Sequence, residues 1–226
     1  MHVLLTVFAS CLFLLSAFTP VIRAKRPSTR VIAHRGAWKN TQTPQNSIAS
    51  LRRAVQLGCF GSEFDVHLSA DSVPVIHHDH SFKGVSFEKS TAEQLSSVYL
   101  ANGEPIPTLE AYLLEGKKQR KTRLILEIKA SQLGKERSLA LADKCVELVQ
   151  KTQTRGLVDY ISFDYDVCKR VKALDPKAQV AYLLGDKSPE QVASDGLWGL
   201  DYHHGVYTKN EAWIAEAQKN KLSLNV

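Results

Sequence analysis

Short apolar runs of β character alternate with helix-patterned segments along most of the chain, and this alternation limits the fold more than any other feature. Eight β-like runs stand out: 30–33, 63–68, 73–77, 124–128, 160–163, 179–184, 197–202 and 222–226. Between most of them lie amphipathic stretches. Residues 47–57 carry Ile48, Leu51 and Val55 at helical spacing and stop at Gly58. Residues 107–114, 136–149, 166–174 and 210–219 read as helices, with a weaker one from Pro189. Alternating β and α units bury both faces of a parallel sheet. Eight of them predict the α/β class and a (β/α)8 TIM barrel rather than a doubly wound sheet. No internal repeat, low-complexity tract or Gly/Ser linker divides the chain, so one domain is expected.

Two irregularities interrupt the pattern. Only Ser69, Ala70, Asp71 and Ser72 separate the second and third runs. That is too short for a crossover helix, so the barrel is locally distorted there or the link is a hairpin. The last run stops at Val226 with no helix after it. A complete barrel takes about 250 residues, so the expected barrel is truncated within its last strand.

Residues 3–18 are rich in Leu, Val, Phe and Ala and carry no charge. The run is shorter than the roughly 20 residues of a membrane span, and Ala24 precedes Lys25 and Arg26. This predicts a signal peptide over 1–24, cleaved near Ala24. A barrel domain over 25–226 would then be exported to a periplasmic or extracellular space, with no stable membrane span. Beyond the signal, Cys59, Cys145 and Cys168 are odd in number and form no C-x-x-C pair. They read as small buried hydrophobes, with at most one disulfide. The formal charge is +6 among 226 residues. Lys and Arg are dispersed, and no basic stripe with interleaved aromatics occurs, which excludes a nucleic-acid binder.

In such a barrel the active site lies at the carboxyl ends of the strands. The first run ends in His34-Arg35-Gly36, the second carries Glu63-Phe64-Asp65, the third ends in His77-His78-Asp79, and the fourth in Glu127-Ile128-Lys129. Side chains at i and i+2 share one face of a strand. Carboxylates within strands are rare unless paired or bound to metal. Glu63, Asp65 and Glu127 would converge on one rim as hard oxygen ligands, suited to Mg²⁺ or Ca²⁺ rather than Zn²⁺. Histidines from separate strands would flank them as general acid and base. The planar fork of Arg35 suits a phosphate. Each motif alone is weak; the order and spacing of all four together are specific.

The stretches VIAHRG, PQNS, GSEFDVHLSADSVPVIHHDH, PTLEAYL, LILEIK, YISF and the terminal LSLNV resemble the glycerophosphodiester phosphodiesterase family, whose members are metal-dependent (β/α)8 barrels. The likeness runs from Val31 to Val226. It implies His34 and His78 as the catalytic pair, His78 being preferred to His77 because it directly precedes Asp79. It implies Glu63, Asp65 and Glu127 as ligands of a divalent ion, Ca²⁺ or Mg²⁺. It implies Arg35 and Lys129 as phosphate contacts, and Asn46 as a residue near the phosphate or metal. Gln45 and Ser47 depart from the Glu and Thr of the family's E-N-T element, and the W-T-V-N segment of its last strand is not reached.

The reaction implied is hydrolysis of a small-molecule glycerophosphodiester to glycerol 3-phosphate and an alcohol such as choline or ethanolamine. Two other readings fit the scaffold. One is a phosphodiesterase for lysophospholipids or phosphoinositides, which calls for an apolar lip that the loops do not obviously supply. The other is a catalytically weak phosphodiester-binding module, which the presence of both histidines and all three carboxylates opposes. His203-His204 ends the seventh run, which puts it on the active rim of the expected barrel, though substrate contact is not expected of it, and Trp38 either lines the pocket or packs under a loop.

Overall fold

A computed structural model describes residues 29–226; the expected signal peptide lies outside the described residues. The first strand, β1 (Ile32–Ala33), leads through a loop to helix α1 (Ile48–Gln56), and β2 (Gly61–Leu68) follows. A small excursion comes next: strand β3 (Pro74–Ile76), the hairpin β4 (Ser81–Phe82) and β5 (Val85–Ser86), and the short helix α2 (Ala92–Ser96). Helix α3 (Leu109–Gly116) then restores the alternation with β6 (Arg123–Ile128), α4 (Lys135–Lys151), β7 (Val158–Ser162), α5 (Tyr165–Leu174) and β8 (Val180–Tyr182). The chain continues through α6 (Pro189–Ser194), β9 (Gly199–Asp201), α7 (His204–Lys209), α8 (Ala212–Lys219) and β10 (Ser223–Asn225).

Seven strands run parallel in the order β1-β2-β6-β7-β8-β9-β10. This is the expected TIM-barrel wall, with one change of count. The third apolar run, β3, is antiparallel to β2, pairing Val66 with Ile76 and Leu68 with Pro74. Val66 also pairs with Ile128 of β6, so β3 occupies the side of β2 that β1 leaves after Ser62. The four-residue link is therefore a hairpin, and β3 is no part of the parallel wall.

Local chemistry explains where helices start. Ser47 caps α1, its Oγ accepting from the Ser50 N–H at 3.0 Å. Glu104, far along the chain, accepts from the N–H groups of Ile48 at 3.0 Å and Ala49 at 3.2 Å. Its negative charge thus meets the positive end of the helix. Asp164 caps α5 through Asp166 and Val167.

Three apolar clusters hold the wall. The largest lies between sheet and helices, where Phe64, Val66, Leu124, Leu126 and Tyr160 meet Leu51, Leu113, Leu141 and Val167. Cys145 and Cys168 sit in that layer as free thiols, as expected, and Cys59 is free too. Inside the wall a small plug of Ile125, Ile161 and Ala181, flanked by Ile32, Leu183 and Trp198, fills the bottom. Val75, Phe87, Leu95, Leu100 and Ile106 form a third core under the β3–α2 excursion. Full burial of one such side chain stabilises the fold by about 1.5–3 kcal/mol. Strand β2 is buried over its whole length, so its odd-numbered polar residues, Glu63, Asp65 and His67, are forced to the inside just above the plug. Among the described residues no helix is long and apolar enough to cross a membrane.

Candidate active site

The turn after β1 is built for close approach. Arg35 has φ +59° and Gly36 φ +77°, both left-handed. A Cβ on Gly36 would lie 2.3 Å from Ser50 Oγ, so only glycine lets α1 pack against this turn. The turn aims the Arg35 N–H at Glu63, donating to Oε2 at 2.6 Å. The Arg35 guanidinium donates from Nη1 to Gln45 Oε1 at 2.9 Å, and its Nε lies 3.9 Å from Asp65 Oδ2. Gln45, which departs from the family's Glu, is therefore a clamp on the Arg35 fork.

Register places Asp65 directly beside Glu127, and Glu63 follows on the same face of β2. The ligand atoms of all three carboxylates lie within 4.8 Å of one another. Asn46, also at positive φ, is buried against Asp65: its Nδ2 donates to Oδ2 at 2.8 Å and its Oδ1 accepts from the Asp65 N–H at 3.2 Å. It is 1% exposed. It thus positions Asp65 from behind and does not reach the cavity as a substrate contact. Lys129 Nζ lies 2.7 Å from both Asp65 Oδ1 and Glu127 Oε1.

The charges do not balance in this cluster. Burial, then repulsion from Asp65, pushes the Glu63 carboxyl well above its ordinary range. Burial and Asp65 also raise Glu127. Burial works against ionised Asp65 as well, but the Lys129 charge and the hydrogen bonds from Lys129 and Asn46 outweigh it and hold that carboxyl low. Burial disfavours the Lys129 ammonium, yet its two carboxylate partners raise its pKa overall. Glu63 Oε1 is buried without a hydrogen-bond partner among the described residues. Three clustered carboxylates against the Lys129 ammonium, with the Arg35 guanidinium 3.9 Å from Asp65 alone and one Glu63 oxygen orphaned, fit a hard divalent cation.

The histidines divide sharply. His34 and His78 line one cavity of about 510 Å³, together with Arg35, Glu63, Glu127 and Lys129. His34 Nε2 lies 3.9 Å from Glu63 Oε2 and its side chain is 67% exposed. Burial and the Arg35 charge lower its pKa, so it is neutral at pH 7. His78 Nδ1 is hydrogen-bonded to Asp79 Oδ1 at 2.7 Å, and that contact holds the Asp79 carboxyl below its ordinary range. His77 turns the other way, packing on Phe82 and Phe87 with ring centroids 4.9 and 4.8 Å apart. Trp38 lies with His77 in a neighbouring cavity.

Sequence reasoning missed the far wall. Ile161, Phe163, Leu183, Asp201 and Asn225 also line this cavity, as does His203, which the sequence placed on the same rim. Phe163 is 51% exposed. The signal for Asp201 lay in the alternation of Leu200, Asp201 and Tyr202: the first and third join the outer core, so the carboxylate between them points inward.

Against known proteins, the model of the Glycerophosphoryl diester phosphodiesterase family matches residues 34–226. A glycerophosphodiester phosphodiesterase of Caldanaerobacter subterraneus subsp. tengcongensis is 32% identical over 168 residues, covering 69% of this chain and 66% of that protein. Further curated relatives are much longer, and the chain spans only 9% and 8% of two of them. The crystal structure of a glycerophosphodiester phosphodiesterase from Parabacteroides distasonis superimposes with a TM-score of 0.84 at 42% identity, covering 87% of this chain and 82% of that one. An Oleispira antarctica phosphodiesterase, solved with its product sn-glycerol-3-phosphate, gives a TM-score of 0.74 at 25% identity, with 87% and 83% covered. A family match over nearly the whole described chain, and one fold shared with these enzymes, carry a single conclusion: the chain belongs to the glycerophosphoryl diester phosphodiesterase family.

Proposed function

We propose that the chain hydrolyses glycerophosphodiesters to glycerol 3-phosphate and an alcohol, with a divalent ion, Ca²⁺ or Mg²⁺, at Glu63, Asp65 and Glu127. The observation that carries this reading is the unbalanced carboxylate cluster, with its orphaned Glu63 oxygen, opening into the cavity that His34 and His78 flank. The ion, when bound, neutralises charge on the phosphate oxygens and polarises phosphorus.

The remaining work belongs to the chain itself. The Arg35 fork, held by Gln45, and the Lys129 ammonium bind phosphate oxygens and stabilise the charge that grows on them. Neutral His34 takes the proton from the attacking hydroxyl, which is water or the neighbouring glycerol hydroxyl; the latter route passes through a cyclic phosphate. His78, oriented by its hydrogen bond to Asp79, gives a proton to the departing alkoxide. Asn46 and Gln45 keep Asp65 and Arg35 in place.

The test is ³¹P NMR of glycerophosphocholine turnover with either ion present. Glycerol 3-phosphate as the phosphorus product, with free choline, is expected. Phosphocholine with free glycerol would refute the assignment of the scissile bond. Export with cleavage after Ala24 belongs to the same proposal; it predicts a secreted chain that begins at Lys25, and an intact Met1 on the exported protein would refute it.

A further inference from the structure

Asp201 is a carboxylate without a counter-charge. It ends β9, which stands four strands along the curled wall from β2, and it faces the same cavity as the carboxylate cluster. Burial pushes its carboxyl up to about 6, and the only opposing influence is the side chain of Asn225, its register partner in β10. No cation among the described residues pairs with it. His203, at the start of α7, turns its Nδ1 to the Gly205 N–H at 3.2 Å and forms no ion pair with Asp201. A partly desolvated carboxylate with one neutral hydrogen-bond partner and no cation beside it is left with an unbalanced charge, unless a ligand supplies the missing one.

The surroundings narrow what that ligand is. Phe163 presents a half-exposed ring to the cavity, with Leu183 and Ile161 beside it. An aromatic face with a nearby carboxylate suits an ammonium group, quaternary or primary. A neutral polyol gains little from the apolar wall, and an anionic group is repelled by the carboxylate. A diester whose phosphate is held by Arg35 and Lys129 on one side has one of its two substituents free to extend toward β9.

We propose that Asp201, together with the Phe163 ring, selects glycerophosphodiesters whose alcohol carries an ammonium group and seats that group on the β9 side of the cavity. The proposal rests on the phosphodiesterase reading above and names its substrate class.

The experiment compares kcat and KM of the full chain for glycerophosphocholine, glycerophosphoethanolamine and the uncharged-alcohol diester glycerophosphoglycerol, in wild type, Asp201→Asn and Asp201→Glu. Asp201→Asn keeps the shape, can still hydrogen-bond Asn225 and removes a half-buried charge that has no cation beside it, so its fold is retained. Its KM for both ammonium diesters is expected to rise about tenfold, with kcat within about twofold and no change for glycerophosphoglycerol; Asp201→Glu is expected to recover most of the affinity. An equal rise for all three diesters would overturn the proposal and assign Asp201 to the shared glycerol. Unchanged constants would overturn it outright, while leaving the phosphodiesterase reading intact. Wild type that cleaves none of the three diesters would sink that reading and this proposal with it.

Discussion

Glu63→Gln is expected to lower kcat/KM by about 10³-fold or more, equivalent to roughly 4 kcal/mol of transition-state stabilisation, without unfolding the protein. The two effects separate because Glu63 is poor for stability and central to charge. Burial and repulsion from Asp65 both disfavour its ionised form, and one of its oxygens has no partner among the described residues. Glutamine keeps an oxygen that accepts from the Arg35 N–H, so the turn after β1 survives. In chelator the variant should melt at or above the wild-type temperature. With saturating divalent ion the order reverses: at 100 times the dissociation constant wild type gains about 2.7 kcal/mol from ligand linkage, and the variant gains little. Asp65→Asn behaves differently. It strips Lys129 of one of its two carboxylate partners and breaks the reciprocal pair with Asn46, so it should destabilise the protein by about 1–3 kcal/mol even in chelator. Thermal melts of the three proteins, with and without ion, check both orders. Equal melting shifts on ion addition in wild type and Glu63→Gln would show that the ion binds elsewhere.

His34→Ala and His78→Ala should each reduce kcat about 10²–10⁴-fold, and the double variant should fall short of the product because the two groups act on one transition state. His77→Phe, by contrast, should retain activity within about threefold, since that ring packs against Phe82 and Phe87 outside the catalytic cavity. The pH dependence follows from His34. Its pKa is lowered by burial and by Arg35, and only the unprotonated ring accepts a proton. Activity is therefore full at pH 7 and falls on an acid limb centred below the ordinary 6.5. Stability has the same sign: a lowered histidine pKa contributes stability above the unfolded value, lost as pH falls toward the folded one. Rate profiles of kcat/KM from pH 5 to 8 test the assignment. An acid limb centred well above 6.5 would mean that His34 is held as an imidazolium, and would reverse the roles of the two histidines.

Much of this site was legible because β-strands impose a period of two. Glu63 and Asp65 share a face by spacing alone, and so do Glu127 and Lys129; their convergence followed once the strands were ordered. Gly36 was visible in the His-Arg-Gly motif, although the Ser50 contact that demands it was not. What stayed hidden depends on contacts between distant parts of the chain. The third apolar run has strand character, but its antiparallel direction is set by a four-residue link that admitted two outcomes. Glu104 caps a helix more than 50 residues upstream, which no local pattern announces. Asn46 was placed near the phosphate or metal; its burial behind Asp65 depends on a left-handed turn that packing enforces. Asp201 was passed over because a single acidic residue at a strand end has no motif around it, and its isolation shows only when the opposite wall is in view.

The most direct test of the account is the rate of glycerol 3-phosphate release from glycerophosphocholine by metal-stripped protein, before and after one equivalent of Ca²⁺ or Mg²⁺ is returned. No release is expected from the stripped protein, recovery with one of the two ions, and no recovery in Glu63→Gln. Release at the same rate in chelator would contradict the account, because the carboxylate cluster would then have no ion to hold.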